Sequence, residues 1–385
     1  MSKHNELIII GPAIYTEEAV LSDKMLIIRD GKIHDIVSIT EEKKFPHAEF
    51  MRFPKHYHLA PGFIDMHVHG ANNADVMDAH PEALQKICDT LLLEGTTSYL
   101  ATTMTASGEQ IEKVLSSVSE FKNTAGAEIV GIHLEGPFLS PQKTGAQRKE
   151  FLCAPDLELF KKWQALAKNK IKLVTLAPEY PNSSEFIQYL KQNNIIASLG
   201  HTHATYAESK AAIQAGCTHA THLFNAMSGM HQREPGAVTA ALLADTVMAE
   251  LIVDGIHLHP AIVQLAFKIK GKNNIVLVTD AMRAKCMQDG CYDLGGQTVT
   301  VNNAMPLLAD GTLAGSVLKM SDALKNMMAF TACDLQTALH MTSINPAKAL
   351  GIFAQKGSIA KNKIADLVVL DEKLNVVTAL CKGVC

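Results

Sequence analysis

The chain opens with short apolar runs of strand type. ELIIIG and MLIIRDGKIHDIV fit β structure, and the second is broken at Asp30-Gly31, a dipeptide that favours a tight hairpin. Past residue 57 the pattern changes. Apolar runs recur at GFIDMHVHG, TTSYLATTM, AEIVGIHLEG, IKLVTLAPE, NIIASLGHTH, CTHATHLFNA, MAELIVDGIH and NIVLVTDAM. Between most of them lie stretches with apolar residues at helical spacing: PEALQKICDTLLLEG, GEQIEKVLSSVSEFK, PDLELFKKWQALAKN, SSEFIQYLKQN, TYAESKAAIQAG and PAIVQLAFKIKGK. Gly or Asn often closes them, as suits a helix end. Eight strands alternating with helices predict an α/β fold, a closed (β/α)8 barrel of the TIM type. An open doubly wound sheet is the second choice; no Gly-rich phosphate loop follows the first strand to support it.

Residues 281–314 break the alternation with Gly290, Gly295-Gly296 and Asp310-Gly311, which predicts a long loop with a hairpin beside the barrel mouth. Helical segments around SDALKNMMAFTAC and LQTALHMTSINPAKALG follow, and KGSIAKNKIADLVVLDEKLNVV again reads as β. The two β segments are expected to pair into a small β-sandwich. That gives a small β domain from 1–57 and 358–385, and a catalytic barrel from 58–357.

Composition narrows the function. A chain of 385 residues is long enough for a barrel of about 250 residues with a smaller domain. A net charge of −4, with both signs mixed along the chain, argues against a broad nucleic-acid or membrane-binding field. The eight cysteines are scattered and form no C-x-x-C pair, so they are expected to be reduced thiols in a cytoplasmic protein. MSKHNELIII has no long apolar segment or cleavage site, so no signal peptide is expected. No apolar run approaches the ~20 residues that span a bilayer.

With seventeen histidines, most should be ordinary. Position singles out a few, because the active site of such a barrel lies at the C-terminal ends of its strands. His67 and His69 close the first strand at i, i+2, on the same face as Asp65. Two neutral imidazoles on one face can share a divalent metal; a solvent-facing pair is the ordinary alternative. Glu135 closes the third strand in GIHLEGP, and a carboxylate there is costly to bury unless it is paired or ligates a cation. His133, on the same face, reads as packed. His201 ends the fifth strand and His222 the sixth, and both are preferred to their neighbours His203 and His219. Asp280 ends the eighth strand, where it can ligate a metal or take a proton from bound water; an ordinary Asp there would cap a helix. Arg233 and His257 suit substrate contact better, the Arg through its planar fork for phosphate or carboxylate. Asn225 and Ala226 offer an amide and a backbone N–H to the same anion.

PGFIDMHVHG, HLEGP, LGHTH, THLFNAM, REPG, DGIH, TDA, LAGS and NPAKALG followed by KGSIAKNKIADLVVL occur in that order. Together they resemble the N-acetylglucosamine-6-phosphate deacetylase family of the amidohydrolase superfamily, over essentially the whole chain. The resemblance implies hydrolysis of N-acetyl-D-glucosamine 6-phosphate to D-glucosamine 6-phosphate and acetate, in amino-sugar catabolism and recycling. It implies Glu135, His201 and His222 as main metal ligands, and His67 and His69 as a second metal site that some members lack. The ion is then a divalent metal, one or two per subunit, with zinc first and Fe, Mn or Co compatible with the same ligands. Asp280 matches the acid/base. Asn225, Ala226, Arg233 and His257 match sugar-phosphate contacts, the Arg reaching a neighbouring subunit of a homodimer. Leu313, Ala314 and Gly315 match a loop lining the sugar site. In KTGAQ, Ala146 and Gln147 stand where many members carry a His that polarises the amide carbonyl; a Gln amide can donate there but cannot become cationic. The rivals are an N-acetylgalactosamine-6-phosphate deacetylase, another hydrolase on the same barrel, and a catalytically silent sugar-phosphate-binding barrel.

Overall fold

The structure, a computed structural model, describes residues 6–384. Residues 1–5, on which the expected absence of a signal peptide partly rests, and the expected thiol of Cys385 lie outside the described residues. Among the described residues, eight parallel strands follow one another in a single sheet. They are β1 (Phe63–Val68), β2 (Thr96–Thr102), β3 (Glu128–Glu135), β4 (Ile171–Leu176), β5 (Ile196–Leu199), β6 (His219–Ala220), β7 (Met248–Leu251) and β8 (Ile275–Leu277). The sheet closes where its ends meet. Val68 bridges Ala281, the Asp280 N–H donates to the His67 carbonyl at 2.8 Å, and the His69 N–H donates to the Ala281 carbonyl at 2.8 Å. A sequential, closed order is a barrel and excludes the doubly wound alternative, whose strand order reverses at a switch point.

Helices α1 (Pro81–Leu93), α2 (Gly108–Glu120), α3 (Leu157–Leu166), α4 (Ser183–Gln192), α5 (Tyr206–Ala215), α6 (Gly236–Leu243), α7 (Pro260–Lys270) and α8 (Met320–Thr331) surround it. Their apolar stripes face the strands: Phe186, Ile187 and Leu190 of α4 pack with Val174, Leu176, Ala197 and Leu199. Local caps fix their starts. Ser107 accepts from the Gln110 N–H, Asp156 accepts from the Leu159 N–H, and Thr205 and Glu208 form a capping box. Helix α6 is buried on nearly all sides, so its sequence shows no polar face to mark a period. Alternation along the strands sends polar side chains inward. His133 Nε2 and the Thr175 hydroxyl lie 2.7 Å apart, and the Thr221 hydroxyl bonds both Thr175 (2.7 Å) and Ser198 (2.6 Å).

The two chain ends meet in two smaller sheets. One has the order Lys32–Ser38, Lys24–Arg29, Glu6–Ile10, Glu49–Arg52; the other has the order Val376–Leu380, Leu367–Leu370, His58–Pro61, Ala13–Tyr15, Val20–Leu21. Ile9, Leu26 and Ile28 from the first pack against Leu59, Leu367 and Val369 from the second. His58–Pro61, expected at the start of the barrel, belongs to this second sheet and runs into β1 through Gly62. The expected hairpin beside the mouth is a three-stranded antiparallel sheet, Gly290–Leu294, Gln297–Asn302 and Met305–Leu307. Among the described residues no helix is long and apolar enough to cross a membrane.

Asp30 and Gly31 turn the hairpin between Lys24–Arg29 and Lys32–Ser38 with φ of 49° and 71°, the paired positive values of a type I′ turn. A Cβ on Gly31 would lie 2.6 Å from the Lys382 carbonyl oxygen, so the turn also holds the C-terminal segment. Gly31→Ala is expected to destabilise the protein by about 1–3 kcal/mol. An unchanged thermal unfolding midpoint would show that the turn does not constrain the pairing of the chain ends.

Candidate metal centre and active-site cavity

Six side chains from five strand ends converge at the C-terminal mouth. Glu135 is the last residue of β3, and His67 and His69 flank Val68 at the end of β1. His201, His222 and Asp280 lie just past β5, β6 and β8 with φ of 46°, 31° and 48°. Left-handed backbone of this kind costs a non-glycine residue of order 1–3 kcal/mol and persists where the surroundings impose it. Here it turns each side chain back over the barrel.

The donors form two groups joined by Glu135. In the first, His201 Nε2 and His222 Nε2 are 3.1 Å apart, and each is 3.2 Å from Glu135 Oε1. In the second, His67 Nε2 and His69 Nε2 are 3.2 Å apart and lie 3.3 and 3.2 Å from Asp280 Oδ1. Glu135 reaches across, with Oε1 3.5 Å from His67 Nε2 and Oε2 3.3 Å from His69 Nε2. Two neutral imidazoles facing through their Nε2 atoms cannot satisfy each other and a carboxylate at once. Ligands held at about 2.0–2.2 Å in tetrahedral array are themselves spaced by about 3.3–3.6 Å, close to the spacings here, so both groups fit a divalent ion.

The charges of these groups shift one another. Burial opposes the charge on His67, but the Asp280 and Glu135 carboxylates raise its pKa well above the ordinary value. Burial likewise opposes charge on His69, and hydrogen bonds to Asp280 and Glu135 lift it to about 9. Against the same burial, the charge of His67 and hydrogen bonds from His201 and His222 hold Glu135 well below the usual carboxylate range. Burial, reinforced by the charge of His67, pushes His133 well down and leaves it a neutral, packed side chain.

A cavity of about 400 Å³ opens over these groups. His69, Glu135, His201, His222 and Asp280 line it, as do Ala146, Gln147, Asn225, Ala226, His257, Leu313 and Gly315. His67 is fully buried behind His69, and Ala314 is fully buried behind its neighbours. His257 is held by Asp254, whose Oδ2 is 2.6 Å from Nδ1. His203 is exposed, and His219 is buried within the barrel wall with its pKa lowered by burial to about 4. Asp65 does not join the donors; it accepts from the Thr279 hydroxyl at 2.5 Å and from the His67 N–H at 3.1 Å. Arg233 is exposed on the loop between β6 and α6 and does not line its own chain's cavity.

Gln147 differs from expectation. Its amide nitrogen donates to Glu135 Oε2 at 2.9 Å and lies 3.6 Å from Met104 Sδ, while its carbonyl accepts from the Thr105 N–H at 2.8 Å. A hydrogen bond to a substrate carbonyl would have to replace one of these. Sequence reading also missed Glu250, which is fully buried in β7 and lies 3.2 Å from His67 Nδ1. Its signal was a single carboxylate inside the apolar run MAELIV. The Lys143 carbonyl, 3.0 Å from His201 Nδ1, carried no signal at all, since every residue has one.

A model of the amidohydrolase family matches residues 58–385. The chain is 47% identical over 382 residues, covering 98% of its own length and 96% of the relative's, to N-acetylglucosamine-6-phosphate deacetylase of Bacillus subtilis (strain 168). It is 38% identical over 369 residues to N-acetylgalactosamine-6-phosphate deacetylase of Escherichia coli O157:H7, covering 94% of each. Among solved structures, N-acetylglucosamine-6-phosphate deacetylase from Pasteurella multocida superimposes with a TM-score of 0.91 at 32% identity, over 98% of both chains.

The two donor groups predict two ions per chain. Metal analysis of the purified protein should find two, and His67→Ala should leave one, held by Glu135, His201 and His222. An equal count in both proteins would remove the His67/His69 group as a metal site.

Proposed function

The chain belongs to the amidohydrolase family, and we propose that within it the protein removes acetate from N-acetyl-D-glucosamine 6-phosphate. The observation that carries this reading is the full-length match, at 47% identity, to a deacetylase of that substrate. The cavity suits it, being large enough for one phosphorylated sugar, with metal-type donors at its base and polar groups on its wall.

Glu135, His201 and His222 would hold one divalent ion, and His67, His69 and Asp280 a second; we propose zinc, with Fe, Mn or Co compatible with the same ligands. When bound, such an ion activates water at neutral pH and polarises a carbonyl. Asp280 faces the cavity as an ionised carboxylate, because burial is outweighed by the charges of His67 and His69. It takes the proton from the attacking water as that oxygen adds to the acetyl carbon. It then delivers the proton to the sugar nitrogen as the C–N bond breaks, so one group serves as base and then as acid. Asn225, Ala226 and His257 hold the sugar phosphate, and Leu313 and Gly315 wall the sugar ring. Gln147 keeps Glu135 in place from the side. Arg233 does not line its own chain's cavity, and we assign it to the phosphate of a neighbouring subunit in a cytoplasmic homodimer.

The galacto epimer is the second reading, favoured by the Escherichia coli relative of that name. Acetate release from both phosphosugars, side by side with defined metals, decides between them; the gluco epimer should turn over faster. Release from neither sugar by metal-loaded protein would leave a silent binding barrel. Asp280→Asn should retain the ion held by Glu135, His201 and His222 and lower kcat by about 10²–10⁴-fold; a near-normal rate would show that Asp280 is not the acid/base. Arg233→Ala should raise KM for the phosphorylated substrate far more than for N-acetylglucosamine. An equal effect on both would remove Arg233 from phosphate binding.

A further inference from the structure

Glu250 is charged, fully buried, and unused by the chemistry above. It sits on β7 between Ala249 and Leu251, which face the surrounding apolar core, so alternation sends its carboxylate into the barrel. There Oε2 lies 3.2 Å from His67 Nδ1 and accepts from the His222 backbone N–H at 3.3 Å. Oε1 has no hydrogen-bond partner among the described residues. A carboxylate this deep is expensive unless a neighbour needs its charge.

We propose that Glu250 is a positioning residue that selectively secures the His67/His69/Asp280 group as a metal site, through its contact with His67 Nδ1. A carboxylate there holds the proton on Nδ1. The Nε2 lone pair is thereby fixed toward His69 and Asp280, and the imidazole becomes a stronger ligand. The other imidazoles lack this support. His201 Nδ1 is 3.0 Å from a neutral backbone carbonyl, that of Lys143, and the Nδ1 atoms of His69 and His222 have no partner among the described residues. Glu250 touches His222 only through its backbone, so the Glu135/His201/His222 group keeps its side-chain geometry without the charge. The inference rests on the metal-dependent reading of the site and is independent of which sugar is cleaved.

Glu250→Gln preserves shape and removes the charge. Apo protein should be titrated with Zn²⁺ against a chromophoric chelator, with metal content checked by elemental analysis. Wild type should take two equivalents. Glu250→Gln should bind one with wild-type affinity and the other about 10–100-fold more weakly. His67→Ala should lose the same equivalent, and the double variant should be no weaker than His67→Ala alone. A general structural defect would instead weaken both equivalents. If Glu250→Gln does not fold, Glu250→Asp, which keeps the charge but shortens its reach, should weaken the same equivalent. The proposal is overturned by wild-type affinity at both sites in a folded variant, by equal weakening of both, by additive losses in the double variant, or by a wild type that takes one ion. Protein that shows the expected metal pattern yet releases no acetate from either phosphosugar would sink the deacetylase reading and leave this proposal standing.

Discussion

A buried carboxylate governs the barrel mouth. Glu135 is 1% exposed, and its two oxygens meet four imidazoles carried by three different strand ends. Charge at that depth is tolerated only when it is matched on every side. The matching requires the ends of β1, β3, β5 and β6 to lie on one ring, which a sequential parallel barrel provides and an open sheet does not. It also requires chain reversal at His201 and His222, and there the backbone adopts left-handed conformations that the surroundings must hold. The hydroxyl network of Thr175, Ser198 and Thr221 forms a polar floor below, so the donors rest on groups that can hydrogen-bond rather than on bare hydrocarbon.

The loop that follows β3 is part of the same arrangement. Gln147 gives its amide to Glu135, and the Lys143 carbonyl faces His201, so the segment that walls the cavity also steadies two of the donors. The mouth sheet grips this loop, since the Gln297 side chain donates to the Ala146 carbonyl at 2.6 Å. Cavity wall and donor cluster are therefore mechanically one unit. A neutral amide in this place orients the carboxylate without competing with it for a proton.

Much of this was legible in the chain. The eight barrel strands stand out because each is an apolar run ending abruptly in a polar residue, and that abruptness also marks Glu135, His201, His222 and Asp280. Other features were hidden for physical reasons. Helix α6 is buried on nearly all sides and has no period to read. Glu250 looks like a flaw in an apolar strand until the fold brings β1 across from it. The third strand of the mouth sheet, Met305–Leu307, is too short to carry an alternation. The partners of Gln147, and the absence of Arg233 from the cavity lining, depend on how loops pack, and local pattern does not encode that.

The closure of the barrel has a consequence for how the protein is made. The hydrogen bonds that seal β1 to the far edge of the sheet come from Asp280 and Ala281, and the strand leading into β1 pairs with Leu367–Leu370 near the C-terminus. During synthesis His67 and His69 emerge long before either partner segment exists. Until the last strands arrive, His67 and His69 are a loose pair with no Asp280 to complete their group. The His67/His69/Asp280 group is thus complete only in a finished chain. An incomplete one lacks the full constellation of donors.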